Sequence, residues 1–449
     1  MLLSRTQRIR LSVSPAAALL LLSIGAAADP ARSAEIPPVL VASEVLSADE
    51  HRGPHHQVAE EVANDGYMNT YRIVSDFGEL DAYGRTMLTV RLQEIRALAE
   101  LSELSDSKVF VDALARAGLS QIEAIGEFAK RPVKTIKGIP DGARRWLERT
   151  ERTVKEGAAA VKKEVADAKA KSKQAKGTEK GQGEKTLSKE EMEELAKKGA
   201  AAGTAYADKY FAVNTAQLDW ARRLRVDPYT SNGVMRKALY EVAEVAAAGS
   251  FIANRTLPRI RGVDILSEVT DLVWSTDPRE LRDRNVKMLL DGGADPARVE
   301  AFFASPWYSP TLQTALVSAI AGFDGVEGRG LMIERAATAQ SEEEAVFLVD
   351  GARMLAAFHR TVSPIERLVG DLWLPGAVST DRRLVYLLPV DHISFTAEVE
   401  GVESHLAVIV ARSGAPKREL WLRGTASARY RKEAEARGWA VQEEAGETP

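Results

Sequence analysis

The chain has 449 residues, no cysteine and a formal net charge of −4. The lack of cysteine excludes thiol catalysis, cysteine-ligated zinc and iron–sulfur clusters, and the mildly acidic balance is untypical of nucleic-acid-binding proteins. The length predicts two or three domains, and an aromatic content of only 6% favours helix over strand.

The first 28 residues carry the pattern of an export signal. Three arginines lie among the first ten residues, an apolar run covers residues 16–28, and the run ends in three consecutive alanines. About 13 apolar residues are too few to span a bilayer, which takes about 20. We predict a cleaved signal peptide at residues 1–28 and a periplasmic or secreted protein; retention of this segment as an anchor is the alternative.

Residues 29–61 are predicted to form a disordered tether. Pro37-Pro38 and Gly53-Pro54 interrupt the segment, and no helical or strand period emerges. No acidic or histidine partner recurs at helical spacing, so we interpret the histidines of this segment as solvated residues rather than metal ligands. The segment holds three of the six histidines of the chain: His51, His55 and His56.

Residues 62–131 are predicted to form a hairpin-plus-helix module. The imperfect alternation of residues 67–75 predicts a strand with one partly buried face. Gly78 follows Asp and Phe and supplies a turn, and residues 79–83 form the return strand. The module organises the first half of the chain but carries no recognisable chemistry.

A core helix is predicted to follow the hairpin, from about residue 86. Its apolar stripe has the spacing i, i+4, i+7 and i+11: Leu88, Leu92, Ile95 and Ala99. Arg91 and Glu94 lie off this stripe, so we expect them on a charged back of the helix. Two shorter helices are expected before Pro132.

Residues 132–186 are predicted to comprise an extended connector, a long charged helix at about 142–173 and a low-complexity, flexible linker. Four apolar residues recur every seven positions along the helix: Leu147, Val154, Val161 and Ala168. This narrow seam is typical of docking along another surface or of a weak coiled coil. Membrane-surface binding is the alternative, with Trp146 as the one bulky anchor.

Residues 187–374 are predicted to form a multi-helix domain. Several helix starts can be identified in the sequence, because a capping residue precedes a proline in the first turn or a glutamate at the third helical position. The predicted caps of this kind are Ser188, Asp277, Asp295, Ser309 and Ser341. The densest aromatic stretch, residues 302–308, is interpreted as core packing, with a ligand- or partner-binding groove as the alternative.

Residues 375–442 are predicted to form a small α+β unit with an antiparallel sheet, and 443–449 a disordered tail. The predicted strands are 383–388, 393–399, 405–410, 419–422 and 439–442, with a helix at 426–436. This sheet can also accept the hairpin of residues 67–83. The fold class predicted for the whole chain is mainly α, with a minor α+β part.

The best candidate site for catalysis or metal binding combines four residues near the C terminus. These residues are Asp391, His392, Glu403 and His405. A hairpin turn at Glu400-Gly401 places His392 and His405 on neighbouring strands, a geometry that a divalent metal can use. The alternative, which we favour, is two histidines at strand ends. His359 is interpreted as a hydrogen-bonded core histidine.

No hydrolase, phosphate-binding or cofactor motif is found, so no cofactor is predicted. The leading hypothesis is an exported bacterial envelope protein with a non-catalytic binding or structural role, acting through a protein partner and not through nucleic acid. One rival is a periplasmic hydrolase with a site near His392 and His405. The other is a peripheral membrane-surface protein that uses helix 142–173.

Overall fold

The computed structural model describes residues 34–105, 215–247, 269–370 and 374–445. About 52% of the described residues are helical and 20% are in strands, and they form thirteen helices and three sheets. The protein is therefore of mixed α/β class, and the predicted mainly α fold with one small antiparallel sheet is wrong. The error has a physical cause, because most of the missed strands are short and pair with distant residues, which leaves little local period.

An antiparallel six-stranded sheet forms the N-terminal part. Its strands are β1 Val39–Val41, β2 Arg52–Gly53, β3 His56–Val58, β4 Glu61–Asn64, β5 Asn69–Ser75 and β6 Gly78–Tyr83. β5 is central, since β6 pairs with one edge and β4 and β3 share the other. β1 adds to β4 and β2 adds to β3. Helices α1 Ala42–Val45 and α2 Ala48–His51 lie between β1 and β2 in the chain.

The segment 29–61, expected to be a disordered tether, therefore contains β1, β2 and β3. His56 is buried, not solvated, and its Nε2 lies 3.1 Å from the Glu50 carbonyl oxygen. His51 lies 3.1 Å from the Glu60 carboxylate. Strands of two or three residues give no readable period, and their stability comes from partners elsewhere in the chain.

The predicted hairpin and core helix are confirmed. Residues of β5 alternate between buried and exposed, and Gly78 turns the chain with φ 115°. Helix α3, Gly84–Ser105, buries Leu88, Leu92 and Ile95. These side chains pack in the same hydrophobic core as the inner face of the sheet. The hairpin and α3 thus form a two-layer unit with one solvent-exposed sheet face.

Eight helices form the middle of the described chain. They are α4 Thr215–Leu224, α5 Gly233–Ala247, α6 Thr270–Ser275, α7 Pro278–Asp291, α8 Pro296–Ala304, α9 Pro310–Ala321, α10 Gly330–Ala336 and α11 Glu342–Thr361. Four predicted caps are confirmed, because each side chain accepts a hydrogen bond from a backbone N–H in the first turn: Asp277, Asp295, Ser309 and Ser341.

A mixed five-stranded sheet forms the C-terminal part. Its elements are β7 Ile365–Val369, β8 Gly376–Ser379, β9 Arg383–Leu388, β10 His392–Ile393, α12 Ala397–Ser413, β11 Lys417–Leu422, β12 Thr425–Ala426, α13 Ala428–Ala436 and β13 Ala440–Gln442. The order is β13-β11-β9-β8-β7; β7, β8 and β9 are antiparallel, whereas β9, β11 and β13 are parallel. β10 and β12 form a separate parallel pair. The sheet is not purely antiparallel, and it begins ten residues before the predicted boundary at 375.

Helix α12 replaces the strands predicted at 393–399 and 405–410. The Thr396 hydroxyl accepts a hydrogen bond from Val399 N and begins the helix, and Gly414 ends it in the left-handed region. The segment is rich in Val and Ile, which raised its strand propensity, but Val399, Leu406 and Ile409 bury one helical face. Parallel strands β9 and β11 require such a crossover.

The hairpin contacts the C-terminal part through loops and not as an added strand. Asp391 N donates to Tyr67 O over 3.0 Å, and Ser394 N donates to Gly66 O over 2.8 Å. At the start of the described chain, Glu35 N donates to Phe395 O over 2.8 Å. The expected closure between distant parts of the chain therefore exists, although β6 remains in the N-terminal sheet.

Several predictions lie outside the described residues. They include the signal peptide 1–28, the two shorter helices expected before Pro132, the whole connector, helix and linker region 132–186, and the cap at Ser188. The predicted tail 443–449 is described only to residue 445, where Ala445 N donates to Leu422 O over 2.9 Å. Within the described ranges, every helix is too short or too polar to cross a membrane.

Candidate functional site

The structure places the four residues of the predicted site on different elements. Asp391 lies just before β10 and His392 is its first residue, whereas Glu403 and His405 lie within α12, with side chains outside what the structure describes. Glu400 and Gly401 are helical and form no turn. The neighbouring-strand geometry that motivated a metal or hydrolytic site is therefore wrong.

His392 takes part in the β10–β12 pair. Its Nδ1 lies 2.8 Å from Thr425 Oγ1, and its backbone carbonyl accepts a hydrogen bond from Asn64 Nδ2 over 3.1 Å. Burial lowers the pKa of His392, against smaller opposing effects of the Glu35 and Glu443 carboxylates. Burial therefore favours the neutral ring. The ring joins β10 to β12, and the backbone carbonyl of His392 joins β10 to the N-terminal sheet.

The Asp391 carboxylate joins β5 and α3 of the N-terminal part to the C-terminal part by hydrogen bonds. Its Oδ2 accepts a hydrogen bond from Asn69 N over 3.0 Å, at the start of β5. Its Oδ1 accepts one from Arg85 N over 3.2 Å, in the first turn of α3. Burial raises the pKa of Asp391, while Arg423 and these two N–H groups favour its ionised form. The sequence pattern suggested Asp391 as a catalytic or metal-site candidate, whereas the contacts described here are those of a structural residue.

Asp391 belongs to a buried polar network, which we call the junction network: Thr86, Asp350, Asp391 and Arg423. Arg423 Nη1 lies 2.6 Å from Asp350 Oδ2 and 2.9 Å from Thr86 Oγ1. Its Nη2 donates to the Pro389 carbonyl over 2.7 Å and lies 4.0 Å from Asp391. The Thr86 hydroxyl also donates to Asp350 over 2.5 Å. The network therefore joins α3, α11 and the ends of β9 and β11 at one point.

A second group, which we call the carboxylate cluster, comprises buried Arg91 and Glu94 together with half-buried Asp227 and Glu342. Glu94 is 1% exposed and pairs with Arg91 over 2.9 Å. It accepts hydrogen bonds from Asn232 Nδ2 over 2.8 Å and from the Thr230 hydroxyl. Burial raises the pKa of Glu342, and the nearby Arg91 opposes this effect.

Sequence reasoning missed the carboxylate cluster and placed Arg91 and Glu94 on a solvated back of α3. Both side chains are buried, because the loop 225–232 covers that face of the helix. One signal was available, since an Arg and a Glu three residues apart can neutralise each other inside a protein. The loop partner lies about 140 residues away and could not be located by spacing.

Two other interpretations concern aromatic and histidine side chains. Phe302 packs edge-on against Phe303 and Tyr308, with ring centroids 4.9 and 4.8 Å apart. These rings are buried, so the interpretation as core packing is confirmed. His359 Nδ1 accepts a hydrogen bond from Ile365 N over 2.9 Å, which confirms its hydrogen-bonded role.

Two small cavities lie between described residues. One of about 50 Å³ lies beneath α12, between that helix and the C-terminal sheet, and its lining is almost wholly apolar. Another of about 50 Å³ lies near Arg329, between the ends of α7, α9 and α10. Pockets for small-molecule ligands usually measure ~300–1,000 Å³. Neither cavity reaches the volume that small-molecule ligands usually require.

Within residues 34–105, 215–247, 269–370 and 374–445, no group of three or more histidine, aspartate or glutamate side chains is placed to hold a metal ion. No known protein family, curated protein or solved structure matches the chain. A function for this chain is therefore inferred from the geometry of its described residues and from its sequence.

Proposed function

We propose that this chain is an exported, non-catalytic binding or structural protein of the bacterial cell envelope, and that it acts through a protein partner. Export rests on the basic and apolar pattern of residues 1–28. The non-catalytic part is supported by the environments of Asp391 and His392, which hold chain segments together. The partner-binding part rests on one further observation, the uncovered outer face of the N-terminal sheet.

This outer face carries three exposed valines. Val39, Val41 and Val74 are 64%, 40% and 43% exposed. The register aligns Val39 with Ala63 and Ala63 with Thr70, so the side chains of these three residues share one face. Val41 lies two residues after Val39 in β1, and Val74 lies four residues after Thr70 in β5. Because side chains alternate along a strand, both valines project to the same face as Val39, Ala63 and Thr70.

Charged residues of both signs surround the valines. Glu61 is paired with Val41, Arg72 with Asp81, and Glu79 with Val74 across neighbouring strands. Exposed apolar side chains among mixed charges are typical of a transient protein interface, whereas a membrane surface favours a predominantly basic face. The outer face therefore favours a protein partner over a lipid surface.

Site-specific photo-crosslinking in the producing bacterium tests this proposal. A photoreactive phenylalanine is introduced singly at Val39, Val41 and Val74, and at Ala297 on the exposed face of α8 as the matched control. We expect the same discrete cross-linked protein from the three sheet positions and none from Ala297. No adduct at the sheet positions, or equal adducts at Ala297, contradicts the proposed interface.

Cell fractionation tests the location separately. The protein is expected in the periplasm or the medium, shortened by the signal peptide. Deletion of residues 2–28 is expected to retain the chain in the cytoplasm. An unshortened chain held in the inner membrane supports the anchor alternative instead.

A further inference from the structure

The N-terminal sheet leaves one long edge open, along the outer side of β6. This strand has six residues and pairs only with β5 among the described strands. The other edge strands are shorter, since β1 has three residues and β2 has two. Pro37 and Pro38 precede β1, and proline lacks the N–H group that a paired strand donates. β6 is therefore the edge best suited to accept a further strand.

The pairing of β5 fixes which backbone groups of β6 face this open edge. Just after β3, Ala59 N donates to Arg72 O over 2.8 Å, so the even-numbered residues of β5 bond on the β3 side. The odd-numbered residues of β5 therefore bond with β6, where Leu80 and Ala82 are among their partners. The residues of β6 that alternate with these direct their backbone groups away from β5: Glu79, Asp81 and Tyr83.

Glu79 and Asp81 give the open edge a negative charge. Both residues are exposed, and their side chains project to the outer face beside Val74 and Arg72, their partners on β5. Within the part of the chain that the structure describes, neither carboxylate forms an ion pair. The outward N–H and C=O groups of both residues likewise have no hydrogen-bond partner there. The edge thus combines unused backbone groups with two unpaired negative charges.

Leu80 determines what the inner face of an added strand must carry. Its side chain projects to the opposite face from Glu79 and Asp81, is half-buried and packs against the hydrophobic core. An apolar residue opposite Leu80 would complete the burial of this side chain. The residues on either side of that apolar residue lie opposite the two carboxylates, where opposite charge is favourable.

We propose that the protein partner binds by adding an extended segment to β6, in which lysine or arginine residues alternate with apolar residues. The basic side chains lie opposite Glu79 and Asp81, and the apolar side chain between them lies opposite Leu80. Backbone hydrogen bonds to the open edge hold the segment in register. The extended conformation and the basic pattern add to the proposed partner-binding function, on which this inference rests.

Fluorescence anisotropy with two labelled heptapeptides tests strand addition on the chain from residue 29 onward. The basic probe is Lys-Val-Lys-Val-Lys-Val-Lys, and the acidic probe has glutamate in place of each lysine. We expect saturable binding of the basic probe and at least about tenfold weaker binding of the acidic probe. Charges on an edge strand can also serve only to prevent self-association. Absent binding of the basic probe, or equal binding of the two probes, overturns the proposal.

A charge reversal separates the two carboxylates from other sources of attraction. Glu79→Lys/Asp81→Lys is expected to weaken binding of the basic probe by about tenfold or more and to create binding of the acidic probe. Asp219→Lys/Glu435→Lys makes the same change in net charge at exposed helical positions, and both affinities should stay within about twofold of wild type. Equal loss of basic-probe binding in the two double variants indicates general charge attraction and contradicts the proposal.

The backbone groups distinguish strand addition from binding to the outer face alone. With the basic probe bound, amide exchange measured by NMR should slow about tenfold or more at Glu79 and Asp81. It should stay unchanged at Leu80 and Ala82, whose N–H groups already bond with β5. Asp81→Pro removes an outward donor but no bond to β5, and should weaken basic-probe binding about tenfold. Equal protection of the four amides, or an Asp81→Pro chain that binds as wild type does, contradicts strand addition.

Photo-crosslinking at Val74 separates this inference from the proposed function. An adduct that disappears when Asp81→Pro is added supports both. An adduct that persists in the Asp81→Pro chain and in the Glu79→Lys/Asp81→Lys chain supports the interface but overturns strand addition. Absence of the adduct from the otherwise wild-type chain contradicts the proposed function itself, independently of the peptide measurements.

Discussion

Arg423 and Asp350 form a buried ion pair, with 2.6 Å between Nη1 and Oδ2, although 73 residues separate them in the chain. The side chains are 8% and 3% exposed. Arg423 follows β11 and Asp350 lies in the middle of α11, so the pair fixes the C-terminal sheet to the longest of the middle helices. Thr86 of α3 completes the contact.

Removal of one partner from this pair should be strongly destabilising. Arg423→Ala leaves the Asp350 carboxylate buried without its closest cation, and we expect a loss of about 3–5 kcal/mol in the free energy of unfolding. Urea denaturation followed by circular dichroism measures this loss. Arg431→Ala, which breaks the partly exposed pair with Glu443, should cost less than about 1 kcal/mol. Equal costs in the two variants would show that the junction network is not a stabilising centre.

Substitution of Asp391 distinguishes a structural residue from a catalytic one. Asp391→Ala leaves the backbone N–H groups of buried Asn69 and half-buried Arg85 without an acceptor, and we expect a loss of about 2–4 kcal/mol. Hydrogen–deuterium exchange should increase at the start of β5 and of α3. A variant with wild-type stability and wild-type exchange would contradict the structural role.

Gly78 and Gly401 provide a matched pair of glycine substitutions. Gly78 has φ 115°, a conformation that L-residues rarely adopt, so Gly78→Ala should destabilise the protein by about 1–3 kcal/mol. Gly401 lies on the exposed side of α12 and a Cβ there meets no other atom, so Gly401→Ala should stabilise it by about 0.5–1 kcal/mol. Thermal denaturation measures whether each substitution raises or lowers the unfolding midpoint. A stabilising Gly78→Ala would show that the turn is wrongly described.

Burial of His56 predicts that the stability of the protein depends on pH. Burial lowers the pKa of His56 below 6.5, so its neutral form stabilises the folded state above that pH. Stability contributed by His56 is lost as pH falls from about 6.5 through the lowered pKa. The unfolding midpoints of wild type and His56→Gln should therefore differ at pH 7.5 and lie closer together at pH 5. Parallel pH profiles would contradict this prediction. The difference between the two proteins isolates the contribution of the histidine.

Part of this fold can be predicted from the sequence, because the patterns that specify it involve neighbouring residues. The alternation in β5, the turn at Gly78 and the stripe from Leu88 to Ala99 each involve residues within a few positions of one another. The caps at Asp277, Asp295, Ser309 and Ser341 are likewise local, because each side chain binds the turn that it begins.

The other elements, such as β1 and α12, depend on strand pairing between residues that are distant in the chain. β1 is three residues long and is defined only by its register with β4. α12 has the valines and isoleucines of a strand, and the helix is favoured because parallel strands β9 and β11 need a crossover between them. The pairing of β1 with β4 and the pairing of β9 with β11 cannot be identified from a single segment of the sequence.

The candidate site shows the same limit. Asp391 was singled out by its neighbourhood in the sequence, yet its actual partners are Asn69 and Arg85, more than 300 residues away. Asp227 and Glu94 drew no attention, because an aspartate before a proline reads as a turn and a glutamate on a helix reads as solvent-exposed. Their burial is a property of the assembled fold.

The bonds of Glu35 join the two ends of the described chain. Its carboxylate accepts hydrogen bonds from Phe395 N and Ser427 Oγ, both over 2.6 Å, although 360 and 392 residues separate it from these donors. C-terminal residues therefore hold the segment that leads into β1. A chain truncated before Phe395 contains every strand of the N-terminal sheet and still lacks both donors that fix this segment.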